Sequence, residues 1–199
     1  ALSSFSVEAA GGGAIGNQVA GSAFDIDITA LDTYGNTVTA FDGVGNTVDI
    51  ADGTGTVVPA VSGVFTGGVR TESVTITAAD TDVVIDVTDS AGGLGTGTET
   101  GSSNAFDVAP GALAGFVYTT DPGAGGPYTA GGNIPVVIEA RDAGGNLKTD
   151  FNGNATVSDT TGTVYESVVG DTSITFAGGV YSGDLHITQA GAGITVTVT

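Results

Sequence analysis

The stretch FDIDITALDTYGNTVTAFDG, residues 24–43, is answered later in the chain by IPVVIEARDAGGNLKTDFNG, residues 134–153. Phe24, Ile26, Ile28 and Ala30 fall on Ile134, Val136, Ile138 and Ala140. Asp32, Gly35, Asn36, Phe41 and Gly43 fall on Asp142, Gly145, Asn146, Phe151 and Gly153. Each copy opens with apolar residues at every second position, the signature of a strand with one buried face. Each then breaks at an Asp-x-x-Gly-Asn turn, where Asp and Asn satisfy backbone groups and Gly supplies a positive φ. The echo extends outward. FTGGVRTESVTIT from Phe65 matches FAGGVYSGDLHIT from Phe176, DGTGTV from Asp52 matches DTTGTV from Asp159, and ALSSFSV from Ala1 matches ALAGFVY from Ala112. The chain is one unit written nearly twice, with a period of about 111 residues.

Composition agrees with strands throughout. The 35 glycines and the short Val/Ile/Thr/Phe runs punctuated by Gly, Asn and Asp predict an all-β protein, and no segment carries a helical apolar period. In the first unit strands are expected near residues 5–9, 23–31, 37–41, 47–51, 56–61, 73–77, 83–88 and 105–109. Alternation turns Ile26, Ile28, Val74, Ile76, Val83, Ile85 and Val87 inward, and Asp25, Asp27, Thr75 and Asp86 outward. A repeat of this length suits an immunoglobulin-like sandwich better than a short solenoid repeat. The expected domains are 1–110 and 111–199.

The quoted segments, with ALDTYGNTVTAFDG and ARDAGGNLKTDFNGNATVSD at their centre, resemble bacterial immunoglobulin-like tandem repeats in the style of filamin-type and invasin/intimin-type modules. The resemblance covers both units. It implies two tandem β-sandwiches in a rod-forming extracellular protein, such as an adhesin stalk, a surface layer or a filament, and it brings no catalytic residues.

The second copy lacks its last strand. The first runs past Thr88 into SSNAFDVAP, whereas the second reaches its equivalent, Thr199, with no counterpart of Phe106 or Val108. The strand predicted over 194–199, with Ile194, Val196 and Val198 on one face, is therefore expected to present an open edge that accepts another strand. An unfilled large apolar position costs on the order of 3–5 kcal/mol. Three fillers are open: following sequence of the same protein, a segment from another copy in a head-to-tail polymer, or none. The first residue is Ala, so the chain is expected to be processed or an excerpt. The junction residues Asp107, Val108, Pro110, Gly111 and Leu113 form a short linker stiffened by proline.

The formal charge is −19, with Arg70, Arg141 and Lys148 as the fixed cations. Nucleic acid is excluded as a partner, since binding it requires basic residues to displace counterions. No transmembrane run is present, so membrane insertion is not expected, and an anionic bilayer would repel the surface. Cysteine is absent, which leaves the redox compartment unmarked. Acidic loops admit Ca2+ as a cofactor, with Asp32, Asp89 and Asp121 as the candidate ligands at the junction. Catalysis is not expected: His186 is placed outward near Glu139, and no nucleophile motif accompanies it. Asn154-Ala155-Thr156 is a lone glycosylation sequon. A carbohydrate-binding module is the third reading, although Trp is absent and Tyr34, Tyr118, Tyr128, Tyr165 and Tyr181 form no platform visible in sequence.

Overall fold

In the computed structural model, which describes residues 1–123 and 125–199, the chain divides into units Ala1–Ala109 and Pro110–Thr199. Unit one contains β1 (Ser4–Ala9), β2 (Gln18–Val19), β3 (Ala23–Leu31), β4 (Val48–Asp52), β5 (Val69–Thr75), β6 (Asp80–Val83), β7 (Ile85–Asp89), β8 (Thr100–Ser102) and β9 (Phe106–Ala109). One sheet is β1-β3-β5, antiparallel throughout. The other is built from β4-β7-β8 and β2-β9-β6. Because β6 runs on into β7 and β8 precedes β9, these two sets form one layer. Its only parallel pair is β2 with β9, Gln18 opposite Val108. Two antiparallel layers with this split first strand make an immunoglobulin-like sandwich.

Alternation sets the core. Ile26, Ile28, Val74, Ile76, Val83, Ile85 and Val87 are all buried, together with Phe106 and Val108 from the last strand. Three phenylalanines from distant parts of the chain close one end: Phe5 meets Phe41 at 5.4 Å between centroids, and Phe41 meets Phe65 edge-on at 4.8 Å. Such edge-to-face pairs add about 0.5–1.5 kcal/mol each beyond their burial.

Three expected strands come out differently. Residues 37–41 make only an isolated bridge, Leu31 with Thr37, after which the chain turns and drops Phe41 fully into the core. The turn is held by the Phe41 N–H donating to the Val38 carbonyl at 2.9 Å. Residues 56–61 are likewise reduced to bridges, Val58 with Thr75 and Asp49 with Val61. The strand expected at 73–77 starts earlier, because the Gly67-Gly68 turn launches the chain directly into Val69. Gly68 has φ +84°, and a Cβ there would lie 2.6 Å from the Val38 carbonyl oxygen, so only glycine fits.

Unit two repeats the plan with β10 (Leu113–Thr120), β11 (Ile134–Asp142), β12 (Asn154–Asp159), β13 (Val164–Tyr165), β14 (Ser173–Thr175), β15 (Val180–Ile187) and β16 (Val196–Val198). Its sheets are β10-β11-β15-β13 and β14-β12-β16. Pairing registers match at the centre of the ladders, although β10 slips against β11 between Tyr118 and Thr120 where β1 and β3 pair continuously. Unit one places Ile50 opposite Val87 and Asp52 opposite Ile85, and unit two places Val157 opposite Val198 and Asp159 opposite Val196. The phenylalanine trio recurs as Phe116, Phe151 and Phe176, with centroids 5.0–5.8 Å apart.

Candidate functional site

The strand β16 is the edge of its sheet: among the described residues it pairs with β12 alone. Its equivalent in unit one, β7, pairs with β8 on the side where β16 has no neighbour among the described residues, and β6, equivalent to residues 191–194, pairs with β9. The regular strand is shorter than the expected 194–199 and excludes Ile194. The faces do follow the alternation. Ile194, Val196 and Val198 lean on the core and are only half-buried, while Thr195, Thr197 and Thr199 are exposed.

Beside this edge lies a cavity of about 470 Å³. In unit one, Phe106 sits opposite Val83 and packs edge-on against Phe24 at 5.9 Å, and Val108 sits opposite Asp80. On the other flank, Ala109 is paired with Val19, and the Ala20 N–H donates to the Ala109 carbonyl at 2.8 Å. The repeat carries Val83 to Ile194, Phe24 to Ile134, Asp80 to Gly191 and the 19–20 segment to Thr129 and Ala130. A shared hydrogen bond confirms the last match: Gly21 N–H donates to Ile76 O, and Gly131 N–H to Ile187 O, both at 2.8 Å. Every one of these unit-two counterparts lines the cavity. The void therefore occupies the place that Phe106 and Val108 fill in unit one.

Two tyrosines that sequence reading left scattered, Tyr118 and Tyr128, also line the cavity. The Tyr118 hydroxyl is buried without a partner among the described residues, where the first copy has Val7. Burial, then the negative charge of Asp121, pushes its pKa up. The substitution of Tyr for Val was readable in the alignment; its position on the cavity wall required the fold. Tyr181 is different: burial and then Glu166, whose carboxylate accepts from its hydroxyl at 3.4 Å, push it up to about 12.

The remaining candidates belong to their own loops. Asp107 accepts from the Asp82 N–H at 3.2 Å and from the Asn17 amide at 3.4 Å, and Val108 is buried in unit one. Pro110 begins unit two, the Gly111 N–H donates to Asp142 at 2.7 Å, and Leu113 is partly exposed opposite Asp142. Asp32 accepts from the Tyr34 and Asn36 N–H groups at 2.9 Å, which makes it turn chemistry. The Asn36 N–H, then the Asn36 side chain and Tyr34 N–H, hold its carboxyl below the usual range. Asp89 is buried and accepts from the Gly97 N–H at 2.7 Å, and Asp121 accepts from the Gly123 N–H at 2.6 Å. Among the described residues no three His, Asp or Glu side chains gather as a metal site.

His186 is not beside Glu139. The β11–β15 register sets Glu139 opposite Val180 and Ile134 opposite Leu185, so His186 lies at the far end of that ladder. It stacks instead on Tyr165, with ring centroids 4.8 Å apart, while Glu139 pairs with Arg141. The other two cations are also paired, Arg70 with Glu72 at 2.9 Å and Lys148 with Asp150 at 2.8 Å. Asn154, the sequon asparagine, is exposed at the start of β12, with its side-chain oxygen accepting from Thr175 at 3.0 Å.

No family model matches the chain, and no curated protein sequence matches it. Among solved structures it is similar to the Escherichia coli adhesin FdeC, at 17% identity and a TM-score of 0.43, over 100% of this chain and 60% of that one. It is similar to a Bacteroides vulgatus β-glycosidase at 12% identity and TM-score 0.37, over 98% of this chain and 23% of that one. It is similar to the D0-D1 domain of intimin at 14% identity and TM-score 0.33, over 100% of this chain and 91% of that one. Likenesses of this strength carry no ligand or partner across to this chain.

Proposed function

We propose that this is an extracellular structural protein, a subunit of a filament or surface appendage, in which the open edge of unit two is completed by a strand from outside that unit. One observation carries the reading: among the described residues β16 pairs on one side only, beside a cavity at the place of Phe106 and Val108. An unpaired edge with half-buried apolar side chains is a template for strand addition, in which main-chain hydrogen bonds supply affinity and side-chain pockets supply selectivity. The sequence carries no nucleophile motif, and His186 stacks on Tyr165 away from Glu139, which supports a non-enzymatic role.

A second reading, spacer repeats in a longer adhesin or surface-layer protein, is favoured by a specific observation. The segments another copy could donate are engaged at home: β1 is paired along its length with β3, and β9 is paired on both sides. A sugar site on Tyr118 and Tyr128 is the third use of the same cavity.

Size-exclusion chromatography with negative-stain microscopy separates these readings, using the 199-residue chain and the chain extended by SSNAFDVAP. Fibres from the bare chain that vanish on extension support the filament subunit. A monomer whose second unit is stabilised by the extension supports the spacer. If extension changes neither assembly nor stability, strand acceptance fails, and glycan binding becomes the reading to test.

A further inference from the structure

Resting on the spacer form of the strand-acceptor reading, we infer that unit two selects its strand by a fixed register and a Gly-x-Ser-x-x-Phe-x-Val pattern, and that this strand comes from outside residues 1–199. Unit one displays the rule, since Gly101, Ser103, Phe106 and Val108 stand in that order.

Gly101 lies opposite Val87, and a Cβ on it would sit 2.2 Å from the Phe5 carbonyl oxygen and 2.7 Å from its carbon. The obstacle is backbone, so no side-chain shift can relieve it. Phe5 pairs with Ala30 just as Phe116 pairs with Ala140, and Val87 corresponds to Val198. The incoming strand therefore needs glycine opposite Val198, where it passes under Phe116.

Ser103 answers both backbone groups of Ile85. Its N–H donates to the Ile85 carbonyl at 2.9 Å, and its hydroxyl accepts the Ile85 N–H at 3.0 Å. The equivalent of Ile85 is Val196, so serine at this position pairs the outward backbone groups of β16. The Phe and Val that follow then fall opposite Ile194 and Gly191, into the cavity. One-residue slippage would turn both apolar side chains out to water.

The source follows from what is already engaged. Phe106 and Val108 are 4% and 3% exposed, and donating them to another molecule would open unit one's own core. That exchange gains nothing, so the occupant is a segment of the same chemistry lying outside residues 1–199.

The test uses a synthetic peptide of residues 100–110, TGSSNAFDVAP, added to the intact chain and followed by amide hydrogen exchange at Val196 and Val198. A version of the chain with residues 89–110 repeated after Thr199 is run in parallel. Protection of both amides is expected in each, with binding weakened at least tenfold when the peptide carries Gly101→Val or Phe106→Asp. A Gly101→Val peptide that binds as tightly as the parent overturns the register and leaves strand acceptance standing. Failure of both peptide and appended segment to protect the amides removes strand acceptance itself. Protection that grows with concentration of the bare chain overturns the outside source and assigns the strand to a second copy.

Discussion

The two units share a register and a phenylalanine trio, yet the same positions are buried to different depths. Phe5, Val7, Phe41, Val83, Ile85 and Val87 are buried in unit one. Their equivalents Phe116, Tyr118, Phe151, Ile194, Val196 and Val198 are only partly buried against the core of unit two. None of these residues belongs to the last strand. In unit one that strand adds Phe106 and Val108 to the same core, and a sandwich core is shared between two sheets, so each strand shields residues on the opposite one. The comparison teaches that β8 and β9 act as a lid on positions up to a hundred residues away in sequence.

The largest effects should come from making the units alike. Phe106→Ala in unit one is expected to cost about 3–5 kcal/mol, by lost transfer energy and by the void it leaves. Chemical denaturation of the full chain, followed unit by unit through hydrogen exchange, should then show the two units opening over a similar range. The trio gives a graded version. Phe41→Ala, at a fully buried site, is expected to cost about 3–5 kcal/mol, and Phe151→Ala clearly less. Equal costs would mean that partial exposure in unit two does not weaken its core.

Much of this was legible in the sequence because it is written twice and with period two. The paired strands β3 and β11, the inward face, and the turn role of Asp32 and Asp142 follow from alternation and repeat alignment. What stayed hidden depends on how sheets face one another. Residues 37–41 alternate like a strand, but backbone bonding to Ala30 bends them so that Phe41 can meet Phe5 and Phe65. His186 was misplaced beside Glu139 because face assignment gives no position along a ladder. The gathering of Tyr118 and Tyr128 at one cavity depends on a layer crossing that no local pattern encodes.

A middle-sized effect should separate Asp142 from Asp32, equivalent turn residues in different surroundings. Burial pushes the Asp142 carboxyl up. Hydrogen bonds from the Asn146 side chain, the Gly111 N–H and the Asn146 N–H nevertheless hold it below the usual range. A depressed native pKa means stability that is present above the unfolded value of about 3.9 and lost as pH falls through the native one. Asp142→Asn should therefore destabilise unit two by on the order of 1–3 kcal/mol at pH 7. The gap to wild type should close as pH drops below about 4. Asp32 is more exposed and lacks the bond to Gly111, so Asp32→Asn should shift the melting temperature of unit one less. A gap at Asp142 that persists unchanged at acid pH would mean that packing, not the carboxylate's charge, accounts for the loss.

The smallest effect tests whether the units share a backbone irregularity as well as a register. Asp82, inside β6, has φ +54°, a conformation that non-glycine residues rarely adopt, and the pairing with β9 slips there. Its equivalent is Gly193, with φ +66°. Asp tolerates the left-handed region better than most residues, and here the Asp82 N–H donates to Asp107. Asp82→Gly should accordingly change unit one by less than about 1 kcal/mol. Gly193→Val, a β-branched residue at the same bend, should cost unit two about 1–2 kcal/mol. The decisive comparison is that valine repeated with a strand seated in the groove. If the bend is what aims Ile194 at the incoming strand, as Asp82 aims Val83 at Phe106, Gly193→Val should weaken peptide binding as well as the fold. If it lowers stability and leaves the peptide's affinity untouched, the bend serves unit two alone, and the groove is shaped by β16 and the cavity wall without it.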